Sequence, residues 1–286
     1  MFRRRLIAAA LLLGTVSCAG AVGRQYELRG QVLAVDRAKN EITIKHEDIA
    51  GFMPAMTMPF RVREAKLLEG RAPGDLVTAT LVVEETDAYL TAVTKTGFAE
   101  IPASAAIPPP SLGIEILKPG EPVPDQALVD QDGQSRALAS WKGQVVALTF
   151  VYTRCPFPTF CPLMDRQFAA VQKAIKDDPA LRGSVRLISV SFDPEYDTPE
   201  VLRKHAALRG ADPAVWSYVT APRGEIDRFA AHFGMSILRG PTPADFTHTL
   251  RTAVIDREGR LAAVHTGNEW TPDGLLRDIR DATAKH

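Results

Sequence analysis

The stretch at 101–110, Ile-Pro-Ala-Ser-Ala-Ala-Ile-Pro-Pro-Pro, constrains this chain more than any other feature. A run so rich in proline should be an extended, semi-rigid connector, so the domain boundary is placed there. Before it, apolar residues alternate in short runs. The alternation predicts strands over 25–36 (Tyr26, Leu28, Val32 and Ala34 on one side), 41–46, 57–62, 76–83 and 88–96, with turns such as Ala38-Lys39-Asn40 and Pro73-Gly74-Asp75 between them. Short strands at this spacing, with no competing helix, predict a small OB-like all-β barrel over 24–98. The connector takes 99–112.

After the connector, the pattern changes. A continuous apolar run over 144–152 predicts a strand buried on both faces, and 185–190 predicts a second. Helices are expected over 162–175, 199–208, 224–233 and 271–284, the last with Thr271 as cap and Pro272 at its first position. A hairpin is expected over 251–256 and 261–265. This order is that of a thioredoxin-like α/β domain over 113–286. A chain of 286 residues with 45% hydrophobic content can bury two such cores. Its formal net charge of zero gives no basic face for nucleic acid.

The amino terminus carries Arg3, Arg4 and Arg5, then an apolar run from Leu6 to Val16, which is the pattern of a secretory signal over 1–22. Val16-Ser17-Cys18 is similar to the end of a bacterial lipobox, which would place a lipid on Cys18 and hold the exported protein at a membrane. Ordinary cleavage near Ala19 or Ala21 is the alternative. The protein is thus expected to be periplasmic or otherwise extracytoplasmic.

Of the three cysteines, only Cys155 and Cys161 remain for the mature fold. A lone pair in an exported protein is usually a structural disulfide, but these two lie between a buried strand and a helix start. Pro162 suits the first helical turn, so Cys161 should sit at a helix N-terminus with a stabilised thiolate and a depressed pKa. Arg154 adds positive charge nearby. Two thiolates can serve redox exchange or bind Cu(I) or Zn(II), and a third ligand must come from elsewhere. His205 and His232 fall inside expected helices and His265 beside a loop. His248 precedes the 251–256 strand, in a loop that approaches the active edge of such a fold.

The first unit holds a second cluster of soft donors. Three of the six methionines, Met53, Met56 and Met58, fall in one short run after His46. Met56 and Met58 are two apart, so on a strand they share a face. Thioethers with an imidazole suit Cu(I); methionines filling a barrel core are the alternative.

These residues resemble two known families. Phe150-Val151-Tyr152-Thr153-Arg154-Cys155-Pro156, Cys161-Pro162-Leu163-Met164, Ser189 through Pro199, and His248 followed by Ala253 through Gly259 resemble the Sco/SenC copper chaperones. That resemblance implies Cys155, Cys161 and His248 as copper ligands and Asp193 as a residue close behind them. It also implies the dinuclear copper centre of cytochrome c oxidase as recipient. Asp197 and Thr198 read as a turn and a helix cap. The family's usual spacing places three residues between the cysteines; here there are five, including Pro156 and Pro158. The run from His46 to Phe60 is similar to the periplasmic CusF copper-binding barrels, which implies His46, Met56 and Met58 as Cu(I) ligands. Met53 stands where that family has a capping Trp. It is either a further sulfur ligand, or Phe52 beside it supplies a ring.

The expected function is an exported copper metallochaperone. Two other readings stay open: a thiol–disulfide oxidoreductase acting through Cys155 and Cys161 on a copper protein's cysteines, and copper sequestration.

Overall fold

The computed structural model describes residues 23–101, 113–239 and 246–284. The expected signal segment with Cys18, and all but the edges of the connector, lie outside them.

The first region is a five-stranded antiparallel sheet in the order β3-β2-β1-β4-β5. Its strands are β1 (Arg24–Asp36), β2 (Glu41–His46), β3 (Met56–Arg61), β4 (Asp75–Val83) and β5 (Ala88–Phe98). Long β1 pairs with β2 along one half and with β4 along the other. A parallel bridge between Val62 and Leu90, with Arg63 N–H donating to Leu90 O at 2.9 Å, draws the free end of β3 onto β5 and curls the sheet toward a barrel. The alternation holds up to Val32. There a β-bulge lets Val32 and Ala34 face consecutive residues of β2, Ile44 and Thr43. The extra residue shifts the phase by one, so Val35 packs on the core and Ala34 faces solvent, the reverse of the sequence expectation.

Gly30 has a specific task in this sheet. It lies opposite His46, and a Cβ there would meet Lys45 O at 2.5 Å and His46 Cα at 2.8 Å. Only glycine lets β1 approach so closely the strand end that carries His46.

The second region is a thioredoxin-like fold built on a seven-stranded mixed sheet in the order β14-β13-β8-β9-β10-β6-β7. Its strands are β6 (Ala127–Asp130), β7 (Ser135–Ala137), β8 (Val145–Val151), β9 (Val185–Ser191), β10 (Trp216–Thr220), β13 (Arg251–Ile255) and β14 (Leu261–Thr266). The central trio β8, β9 and β10 is parallel, which requires crossovers, and helices α1 (Cys161–Asp177) and α2 (Pro199–Arg209) supply them. Every residue of β8 is buried, as its unbroken apolar run requires. Helices α3 (Arg223–His232) and α4 (Pro272–Ala284) complete the layers. Thr198 caps α2, its Oγ1 accepting from Val201 N, and Thr271 Oγ1 accepts from Gly274 N ahead of α4.

A separate two-stranded ribbon, β11 (Ile237–Arg239) with β12 (Phe246–His248), packs on this core through Phe246 and Ile237. His248 therefore ends a short strand rather than lying in an open loop. The parallel strands place the β8–α1 connection, which carries both cysteines, beyond their carboxyl ends, where open α/β sheets form their sites.

Candidate metal centre

His46 ends β2, directly across from Met56 on β3 and Gly30 on β1. Its Nδ1 lies 2.7 Å from Glu47 O, so Nδ1 carries the proton and donates it. Among the described residues its Nε2 has no hydrogen-bond partner, although the residue is only 2% exposed. A buried acceptor without a partner is costly, and burial also pushes the His46 pKa down, keeping the ring neutral. The result is a fixed tautomer with an uncommitted lone pair, which is what a metal takes from histidine. Met53 is fastened nearby by a bridge to Ile49, and Asp48 Oδ1 ties the same turn by accepting from Ala55 N at 2.6 Å. Phe52 stacks its ring on Tyr26, with centroids 4.6 Å apart.

The cysteine loop leaves β8 under tight control. Buried Asp197 accepts from Thr153 N at 3.0 Å, from Thr153 Oγ1, and from Ser191 Oγ at 2.5 Å, locking the ends of β8 and β9 together. It is thus a turn carboxylate, as its place before the α2 cap suggested. Arg154 does not direct its charge at the thiols. Its Nε donates to buried Asp193 at 2.7 Å, and its guanidinium lies over the Tyr196 ring at 4.5 Å. Asp193 reaches the loop through that pair; burial pushes its pKa up, partly offset by Arg154.

Cys161 is the first residue of α1, as expected, but its acidity runs the other way. Burial, then hydrogen bonding and charge from Cys155, push its thiol well above the ordinary value. Cys161 is only 2% exposed, and the charge of Asp165, one turn on, adds to the rise. Cys155 is the more acidic thiol. Burial raises it, but hydrogen bonds from Cys161, from the backbone of Phe157 and Cys161, and from Tyr152 outweigh that and hold it below the usual value.

His248 sits on β12 with its Nδ1 3.1 Å from Thr249 O, between the rings of Phe192 and Tyr152 at 4.7 and 5.9 Å. Burial lowers its pKa to about 4. The other histidines are engaged elsewhere: His205 Nε2 lies 2.8 Å from Asp165, and His265 Nε2 lies 2.7 Å from Asp278.

The two candidate sites meet. A cavity of about 40 Å³ is lined by Met53, Met56 and Met58 from the barrel and by Cys155, Phe157 and His248 from the second region. Thr57, between two of the methionines, donates its N–H to the hydroxyl of Thr247, the neighbour of His248, at 3.3 Å. Lys39 pairs with Glu269 at 3.3 Å, and Arg166 donates to Thr86 O at 3.4 Å, bracing the same interface. Phe157 is 3% exposed and belongs to the barrel's hydrophobic core, edge-on to Phe60 at 5.8 Å. Sequence reasoning missed it. The available signal was the lengthened inter-cysteine segment itself, which places an aromatic between two prolines. Cys161 and His46 do not line the cavity. Among the described residues no three His, Cys, Asp or Glu side chains already converge on one metal-sized point. Closing Cys155, Cys161 and His248 on one ion therefore requires the loop or the β11–β12 ribbon to move.

Comparison with known proteins bears on both halves. Residues 119–284 match the family model described as SCO1/SenC, more than half of the chain. The chain belongs to the SCO1/SenC family. Residues 25–95 match the model described as copper binding periplasmic protein CusF. The SCO1 protein homolog of Bacillus subtilis (strain 168) is 32% identical over 157 residues, 54% of this chain and 79% of that protein. The solved structure of BsSco, described as a Sco-family cytochrome c oxidase assembly protein with a disulfide switch, superposes with a TM-score of 0.50 at 30% identity. It covers 60% of this chain and 99% of its own. A SCO1/SenC family lipoprotein from Bacillus anthracis str. Ames shares the fold, with a TM-score of 0.51 at 24% identity over 58% of this chain and 98% of its own. In this SCO1/SenC chain the inter-cysteine loop is built into the neighbouring barrel.

Proposed function

We propose that this chain is an extracytoplasmic copper chaperone whose cargo is Cu(I), organised as a barrel over 24–98, a linker over 99–112 and a SCO1/SenC domain over 113–286. The observation that carries this reading is the set of soft donors around one small cavity: three thioethers, a thiolate-forming cysteine and a neutral imidazole. Thioether, thiolate and imidazole favour Cu(I) over hard cations such as Mg(II). The unpartnered Nε2 of His46 adds a donor held ready at the cost of a hydrogen bond. His46, Met56, Met58 and Met53 form the barrel's ligand set; Cys155, Cys161 and His248 form the other, with Asp193 steadying the loop through Arg154. Transfer proceeds by ligand exchange and needs no general acid. The match to a copper-binding periplasmic family and the oxidase-assembly role ascribed to BsSco support delivery to the dinuclear copper centre of cytochrome c oxidase. A lipid on Cys18 would keep the protein at the membrane that holds such a recipient.

Anaerobic Cu(I) titration of the reduced chain against a chromophoric competitor tests this. Two tightly held ions per chain are expected. Binding by the barrel alone would recast the second domain as a reductase.

That second reading has its own support. Two hydrogen-bonded thiols of unequal acidity suit disulfide exchange, with Cys155 attacking and Cys161 resolving. His248→Ala separates the two: it weakens copper binding if the site is a metal site and leaves disulfide exchange unchanged if it is not.

A further inference from the structure

We infer that copper passes directly between the two ligand sets inside one chain, through the cavity they share, with Phe157 as the movable partition. The inference deepens the chaperone reading and rests on it. Three observations carry it. Met53, Met56 and Met58 face the same cavity as Cys155 and His248. The cavity, about 40 Å³, has room for at most a few water molecules, so an ion crossing it keeps protein ligands instead of a hydration shell. Finally, an aromatic ring packed in one core with Met53 and Met58, Phe157, belongs to the cysteine loop, not to the barrel. Phe157 packs among Phe60, Phe52 and Phe160, two residues from Cys155.

This placement couples the sites mechanically. The cysteine–histidine set is not closed around one point, and closing it from the loop side displaces the segment 156–160. That displacement withdraws the ring covering the methionines at the moment the thiolate becomes a ligand. Cu(I) exchanges the thioether sulfurs for the sulfurs of Cys155 and Cys161 and the imidazole of His248. The copper keeps its oxidation state throughout, and the two thiol protons leave to solvent. A ring face against a monovalent cation is itself favourable, so Phe157 holds copper in the barrel until the loop moves. Pro156 and Pro158 keep the flanking backbone stiff, so the ring and Cys155 move together.

The test uses the full chain. The cysteine pair is oxidised to a disulfide, one equivalent of Cu(I) is loaded into the barrel, and a phosphine reductant is added with an excess of a chromophoric chelator. Near-ultraviolet Cu(I)–thiolate absorption should then appear with a rate constant unchanged over about a tenfold range of protein concentration, with little copper reaching the chelator. A rate proportional to protein concentration, or capture of the copper by the chelator, overturns the inference. Phe157→Ala should release barrel copper to the chelator about tenfold faster, the scale of one ring–cation contact. Should that variant fold poorly, Phe157→Trp gives a second readout. With the emission of Trp141, Trp216 and Trp270 subtracted using the parent chain, the new indole should lose emission as Cu(I) fills the barrel. Unchanged emission with copper bound refutes the partition. Failure of either set to bind Cu(I) in the separate titrations, Met56→Ile with Met58→Ile for one and Cys155→Ser with Cys161→Ser for the other, overturns the chaperone reading as well. Binding by both with bimolecular exchange overturns this inference alone.

Discussion

The barrel and the cysteine loop solve the same problem, presenting soft donors, in opposite ways. In the barrel, the backbone does the positioning. His46 and Met56 face each other through strand register, Gly30 lets β1 close in on β2, and one hydrogen bond fixes the imidazole tautomer. Across the cavity, the donors come from a loop, a helix start and the base of a two-stranded ribbon, and they are not gathered on one point. Ligands locked by register suit capture; ligands that must move to close suit release and handover, or redox exchange when no metal is present. The contrast shows that preorganisation follows the element type that carries the donors, not the donors' chemistry.

The sharpest way to break the comparison is to remove the barrel's sulfurs. Met56→Ile with Met58→Ile should abolish copper binding by the barrel in competitor titrations. The fold should survive, because swaps of similar volume cost less than about 1.5 kcal/mol each. Retained binding would make the methionines core residues only. Next in size is His248→Ala. Loss of an outer partner of a metal site costs about 10–100-fold in affinity, so loss of a direct ligand should cost about a hundredfold or more at the cysteine site and leave the barrel untouched.

Smaller effects sharpen the contrast in electrostatics. Unfolded His248 takes up a proton below about pH 6.5, whereas the folded residue resists protonation down to about 4. Between these values the unfolded state binds more protons. The metal-free protein should therefore lose stability as pH falls from about 6.5 toward 4, by at most about 1.4 kcal/mol per pH unit from this residue, and no further below 4. Urea midpoints of the parent and of His248→Gln, compared at neutral and mildly acid pH, measure it; parallel behaviour of the two proteins removes His248 as the source. The smallest effect concerns the thiols. Cys155 should alkylate several-fold faster than Cys161 near neutral pH, since thiolate fraction and access both favour it. Mass spectrometry of single-cysteine variants reads the ratio, and a faster Cys161 would restore the helix-end expectation.

Much of this was legible in the sequence. Alternation located the five barrel strands to within a residue or two, and the unbroken apolar run located β8. Other elements were silent for physical reasons. β7 is wholly exposed, and β10, Trp216–Thr220, is short and mixes polar with aromatic residues, so neither carries a clear period. The bulge after Val32 reversed the facing of Ala34 and Val35 because parity counting assumes an uninterrupted ladder. At the site, donor types and their grouping were readable. The order of thiol acidities was not, since it depends on burial and on how the two sulfurs face each other. Least visible was the meeting of the two ligand sets, because a ring that fills another domain's core leaves no periodic trace in its own segment.

The position of Phe157 also bears on the order of folding. A chain made amino end first presents all five barrel strands well before Phe157, the ring that completes their core. The barrel's core is therefore complete only once the cysteine loop has been made. Maturation of the first domain then reports on maturation of the second, because a chain truncated after the linker lacks the ring that closes the first domain's core.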